Sequence, residues 1–282
     1  MASAADDAAQ PSPSAPLADA IKLFDAHRPV EAQAAFEKIA ATDPKNAEAA
    51  DYLGQLALER DDPDQAVKWL EQAVALAPGK SAYLLALGDA YSIAVNNVSV
   101  FSKAGVAEKC LAAYDKAVAL DPDNLDARAR RIEYYRHAPG FVGGGMDKAY
   151  AEAAEIRKRD AVRGAEAFGT LYVAEKKYAA AFLMLDAVIK ANPDKKVLLY
   201  SLGSVAAASG QQLDRGEAAL KEYLRYNPTA NEPPLFVAHW RLGRIYEKKG
   251  NKDAARAEYE AALKLSPQFP PAQAALKKLQ GT

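Results

Sequence analysis

Apolar residues recur in helix-like runs along almost the whole chain, and proline closes one run after another. The closing prolines are Pro44, Pro78, Pro122, Pro193, Pro228 and Pro267, spaced 34, 44, 71, 35 and 39 residues apart. Glycines inside the runs keep the same beat: Gly54, Gly88, Gly169, Gly203 and Gly243 are separated by 34, 81, 34 and 40 residues. Two independent markers thus share a base period of 34 residues with insertions, and the 71-residue gap holds two units. Each period predicts two helices, with proline stopping the second. A glycine inside a helix costs about 1 kcal/mol relative to alanine, so five at one phase need a compensating gain. Close approach of the two helices of a hairpin supplies it, with a small residue opposite: Ala66, Ala181 or Ala255.

The spacing and its residues resemble the tetratricopeptide-repeat family. The segment Ala47 to Lys80 carries Leu53, Gly54, Ala66, Ala73 and Pro78 at the family's positions. Val162 to Lys195 carries Gly169, Tyr172, Ala181 and Pro193. Phe236 to Phe269 carries Leu242, Gly243, Tyr246, Gly250, Ala255, Tyr259, Ala262 and Pro267. More divergent copies fill 13–46, 81–124, 125–161 and 196–229, and residues 270–282 close the array as a capping helix. The resemblance implies an all-α, right-handed α-solenoid of seven helix–turn–helix units over residues 17–282. No such unit buries its apolar face alone, so neighbours stabilise one another by stacking. In the last full copy Gly250 suits the positive φ of the turn between helices.

Two places break the period. The third unit holds ten extra residues around 96–105, including Val98, Val100 and Phe101. This stretch reads as an extended helical hairpin packed on itself, or as a sticky flap. The fourth unit is interrupted over 138–146 by Pro139, Gly140 and Gly143-Gly144-Gly145, with a helix starting near Asp147 as its N-cap. Thr229 to Leu235 links units six and seven, stiffened by Pro233 and Pro234.

Composition narrows the class. Half of the 282 residues are hydrophobic and 26% are charged, as in a soluble globular protein. Formal net charge is −1, which argues against binding nucleic acid or anionic membrane through bulk charge. The balance is a cancellation. Residues 1–124 hold 10 Lys and Arg against 19 Asp and Glu, and residues 125–282 hold 26 against 18. No apolar run reaches the roughly 18 residues of a membrane span. The single Cys110 excludes an intrachain disulfide and a thiolate zinc site. Residues 1–16 read as a flexible leader rich in Ala, Pro and Ser. Ala2-Ser3-Ala4 is similar to the end of a bacterial signal-cleavage site, which favours a periplasmic mature protein over a cytoplasmic one.

Candidate chemistry is sparse. Gly79-Lys80-Ser81 matches the end of a phosphate-binding loop, but the required earlier glycine is Val74 and a helix precedes it. The triple glycine precedes a helix N-terminus whose free N–H groups suit an anion, with Lys148 and Arg136 nearby. His137 neighbours Glu133 and Arg136, but no nucleophile accompanies them. Cys110 takes the small-residue position of its helix and reads as a buried apolar side chain. No metal or cofactor is implied.

The resemblance implies a concave groove lined by the first helix of each unit. Carried over, its positions are Asp51, Tyr52 and Gln55, then Asp89, then Arg130, Glu133, Arg136 and His137. Arg163 and Glu166 follow, then Tyr200 and Ser204, and finally Trp240, Arg241, Arg244 and Lys248. Aromatic and arginine side chains on one face suit a protein interface. The family's chaperone-tail clamp needs asparagine at the ninth position of its helices; here the residues are Ile21, Gln55, Asp89, Glu133, Thr170, Ser204 and Arg244. The expectation is a non-enzymatic scaffold binding an extended peptide or protein, without that clamp. The alternatives are a homo-oligomer and a small-anion binder at the fourth unit.

Overall fold

The computed structural model describes residues 14–230 and 232–280. The leader predicted over residues 1–16 lies outside the described residues up to residue 13. Among the described residues the chain is all-helical: α1 (Ala15–Asp25), α2 (Pro29–Thr42), α3 (Ala47–Glu59), α4 (Pro63–Leu76), α5 (Ser81–Ala94), α6 (Val100–Leu120), α7 (Leu125–His137), α8 (Met146–Arg159), α9 (Ala161–Ala174), α10 (Tyr178–Ala191), α11 (Val197–Ser209), α12 (Leu213–Tyr223), α13 (Leu235–Lys248), α14 (Lys252–Leu265) and α15 (Pro270–Gln280). A short 3-10 turn, Gly140–Val142, follows α7. None of these helices is long and apolar enough to cross a membrane.

The helices belong to two compact units, Met1–Gly145 and Met146–Thr282, and the division falls directly after the triple glycine. In the first unit, α1–α2, α3–α4 and α5–α6 pair as hairpins, while α3, α5 and α7 lie side by side. In the second, α8 packs on α9 and α9 on α10. There α11–α12 and α13–α14 are hairpins, α9, α11 and α13 lie side by side, and α15 covers α14.

Local chemistry explains the helix ends. Asn46, Asp62, Asn124, Asp160 and Asn251 each accept a backbone N–H in the first turn of α3, α4, α7, α9 and α14. Pro29 and Pro63 open α2 and α4, where a missing N–H costs nothing. Several of the hairpin turns use a left-handed residue. Gly250 supplies it with φ 78°, and His27, Asp61 and Lys176 hold the equivalent place at 53°, 58° and 58°.

The periodic glycines do face across their hairpins, but onto large side chains. A Cβ on Gly54 would stand about 2.4 Å from Leu70, and one on Gly203 about 2.3 Å from Leu220. Gly88 and Gly243 likewise lie flat against the rings of Tyr114 and Tyr259. The atoms nearest these glycines belong to a Leu or Tyr four residues after the positions of Ala66 and Ala255, both of which are fully buried. Full burial of such a side chain stabilises by about 1.5–3 kcal/mol, which exceeds the helical cost of the glycine. Gly169 departs from the rule, with open space beside it. The close approach of α9 is at Gly164, whose Cβ would meet the Arg157 backbone of α8 at 2.4 Å.

Both interruptions take definite shapes. The extra residues of the third unit lengthen α6 to 21 residues and leave Val100 and Phe101 73% and 94% exposed. In the glycine loop, Val142 and Gly144 donate to Pro139 O, Gly143 to Gly140 O and Gly145 to Tyr135 O. The three glycine N–H groups are all spent on carbonyls. Asp147 is the second residue of α8 rather than its N-cap.

Candidate functional site

A cavity of about 680 Å³ opens in the first unit between α5, α6 and α7, with Leu58 of α3 at one side. Several of its polar side chains are committed to the protein itself. Tyr114 donates to Asp89 at 2.8 Å, and the Arg130 guanidinium reaches the same carboxylate oxygen at 2.8 Å. Tyr91 donates to Glu71, and Tyr134 to Val142 O at 2.6 Å. The Cys110 thiol donates to Gly88 O at 3.3 Å, and burial pushes it up to about 12, so no thiolate forms near neutrality. Burial also raises Tyr134 to about 12 and Tyr91 and Tyr114 further. Much of the surface left over is apolar: Leu58, Ile93, Val95, Ala107 and Val142, with Asn96 beside them. Arg130, Glu133 and His137 border it, with His137 3.5 Å from the Glu133 carboxylate that Arg136 also holds.

Of the other groove candidates in this unit, Asp51 is 7% exposed and accepts a hydrogen bond from Gln55 at 2.7 Å. Its second oxygen has no partner, and burial raises its carboxyl to about 6. Tyr52 stacks on Phe36 at 4.7 Å and meets Phe24 edge-on at 5.0 Å. The Arg136 Nε is buried without a partner.

In the second unit the candidates lie on α9, α11 and α13. Burial pushes the Glu166 carboxyl up to about 7, with Arg163 opposing and Asp160 and Glu232 adding. Tyr200 packs against Tyr223, ring centres 5.5 Å apart. Glu232 accepts from Tyr226 and from Thr229, pinning the start of the linker. Trp240 meets Phe269 edge-on at 5.9 Å, while the Arg241 and Arg244 guanidiniums lie 4.4 and 5.7 Å from its ring centre. Ser204 Oγ and Arg241 Nε are buried without partners. Lys248 is exposed.

Tetratricopeptide-repeat sequence profiles match residues 23–89 and 236–269. The chain carries tetratricopeptide repeats. Its fold is similar to that of a tetratricopeptide-repeat protein from Parabacteroides merdae, with a TM-score of 0.68 at 15% identity, over 94% of this chain and 97% of that one. Human IFIT1, solved as a dimer with m7Gppp-AAAA, gives 0.61 at 18% identity over 94% of this chain and 62% of its own. The Cut9–Hcn1 assembly of the APC/C gives 0.54 at 19% identity over 94% and 48%. These likenesses concern fold alone. No curated protein matches the sequence.

In this repeat protein, the groove positions inferred from the family bring Asp89, Arg130, Glu133 and His137 to one cavity. The tyrosines that shape it, Tyr91, Tyr114 and Tyr134, are absent from those positions. Their hydroxyl partners lie 20, 25 and 8 residues away in sequence, so no local pattern announces them.

Proposed function

We propose that the chain is a non-enzymatic scaffold whose first unit seats an apolar side chain of an extended partner segment. The repeat fold supports a general role in protein–protein interaction. The observation that carries the finer reading is the internal satisfaction of the cavity. Tyr91, Tyr114, Tyr134 and Cys110 already spend their donors on the protein, so an entering group gains by removing apolar surface from water. Pre-formed walls also lower the ordering cost of binding. Peptides selected from a random library on the intact protein test this. The winners are expected to share an apolar anchor and to lose tenfold or more in affinity by titration calorimetry against Ile93→Glu. Equal affinity for that variant sinks the reading.

A second reading, self-association, has one observation in its favour: the exposed Val100 and Phe101 at the start of α6. Light scattering at two concentrations separates it from the first, and a monomer at both eliminates it.

A further inference from the structure

The cavity of the first unit leaves a particular set of hydrogen-bonding atoms idle. The hydroxyls and the thiol that line it are all spent: Tyr91 on Glu71, Ser92 on Asp89 O, Tyr114 on the Asp89 carboxylate, Tyr134 on Val142 O and Cys110 on Gly88 O. Its two carboxylates are each used on one oxygen only. Tyr114 and Arg130 both reach Asp89 Oδ1, while Arg136 and His137 both reach Glu133 Oε2. Among the described residues Asp89 Oδ2 and Glu133 Oε1 accept no hydrogen bond. Side-chain N–H groups that remain, on Asn96, Arg130 and His137, belong to exposed residues at the rim. Asp89 is more enclosed than Arg130, and Glu133 more than His137, so the idle oxygens lie deeper than those N–H groups.

The chemistry left open is therefore that of an acceptor site with apolar walls. A ligand that donates through a positive group forms the stronger, charge-assisted hydrogen bonds there. Arg130 and Arg136 oppose an arriving cation, but each already holds the oxygen that such a ligand leaves alone. Glu108 works in the cation's favour: after burial and Cys110 it raises the Tyr134 hydroxyl, and it forms no ion pair among the described residues. Residues 1–145 as a whole hold 14 Lys and Arg against 21 Asp and Glu, which draws cations toward the unit. An anion would meet two carboxylates, with rim N–H groups alone to hold it. The volume of about 680 Å³ falls within the range of small-molecule sites, roughly 300–1,000 Å³. A flat aromatic body fills such a space better than an unbranched lysine stem, and the lining tyrosine rings offer it faces and edges.

We propose that the cavity between α5, α6 and α7 binds a small aromatic primary amine, its ring against the apolar walls and its ammonium at Asp89 Oδ2 and Glu133 Oε1. The inference goes beyond the scaffold reading: it concerns a free ligand and needs no partner segment.

Titration calorimetry of the full chain compares three indoles of one body: tryptamine, tryptophol with a hydroxyl in place of the ammonium, and indole-3-acetate. Tryptamine is expected to bind at least tenfold more tightly than either of the others. Asp89→Asn keeps an oxygen for Tyr114 and puts an amide nitrogen where Oδ2 stood, and Glu133→Gln does the same beside Arg136. Each should weaken tryptamine at least fivefold while keeping the parent's helical circular dichroism and leaving tryptophol within twofold. A misfolded variant cannot show that selective loss. Asp64→Asn on α4, outside the cavity, should leave all three ligands unchanged. Equal binding of tryptamine and tryptophol, tighter binding of indole-3-acetate, or carboxamide variants that hold tryptamine as the parent does overturns the proposal. So does tighter binding of Nα-acetyl-lysine methylamide than of tryptamine, which would assign the oxygens to a partner's lysine. Library peptides that still need Ile93 while tryptamine fails would overturn this inference alone and leave the scaffold reading standing.

Discussion

The two units carry groove residues at the same repeat positions and treat them in opposite ways. In the first unit the charges turn on one another: Asp89 takes Tyr114 and Arg130, and Glu133 takes Arg136 and His137. What stays available is mostly apolar. In the second unit Arg241 and Arg244 rest on Trp240 without an ion pair, Glu247 acting on Arg244 only from a distance, so what stays available is charge. Overall composition follows the same division. Residues 1–145 hold 14 Lys and Arg against 21 Asp and Glu, and residues 146–282 hold 22 against 16. A groove position thus defines where a side chain starts, while its neighbours decide whether a ligand can use it.

The largest effect that can sharpen this contrast lies at the glycines. Gly88→Val drives new atoms into the Tyr114 ring that walls the first cavity, at a cost of about 3 kcal/mol. Gly169→Ala in the second unit meets open space and should be neutral or stabilising by roughly 0.5–1 kcal/mol. Urea unfolding of both variants checks this; equal losses would erase the difference between the hairpins. Next come the charges themselves. Asp89→Ala strips Tyr114 and Arg130 of their acceptor and should cost about 2 kcal/mol, because a mostly buried hydroxyl loses its partner. Arg244→Ala removes a ring contact with Trp240 and a distant attraction to Glu247 but no ion pair, and should cost less than about 1 kcal/mol. Matching losses in the two variants would break the comparison.

The smallest effect is a pH dependence. The Asp51 carboxyl titrates at about 6 in the folded protein against 3.8 when exposed. A raised carboxyl pKa means that the folded state holds the proton longer than the unfolded one. Its contribution is fully present below pH 3.8, declines as pH rises through 6, and is constant above. Asp51→Asn should therefore gain on the parent by about 1–2 kcal/mol as pH rises across that window. Thermal melts of both proteins from pH 4 to 7 read the difference, and parallel curves would show that Asp51 is not desolvated.

Much of this was legible in the chain. The 34-residue beat of proline and glycine predicts paired helices, and the hairpins α3–α4 and α13–α14 follow it closely. Gly250 behaves as its place demands, with φ 78°. The nearest neighbours of the glycines were not legible, because periodicity reports phase and not distance. Gly169 sits at the same phase as Gly243, yet one faces space and the other the Tyr259 ring. The cavity was only half legible. Asp89, Arg130, Glu133 and His137 occupy groove positions by repeat arithmetic, whereas Tyr91 and Tyr114 join them through contacts some twenty residues away.

From sequence alone came the helical class, the repeat length, the C-terminal capping helix and the acidic-to-basic drift. Each depends on residues close in the chain or on simple counts, and backbone propensity and charge respond to those directly. Tertiary structure decided which donors are spent. The triple glycine has its N–H groups turned onto Pro139, Gly140 and Tyr135, and Glu247 gives its oxygens to Tyr259 and Lys278 rather than to the α13 arginines. Hydrogen bonds and ion pairs form over a few ångströms of space, and separation along the chain does not measure that distance.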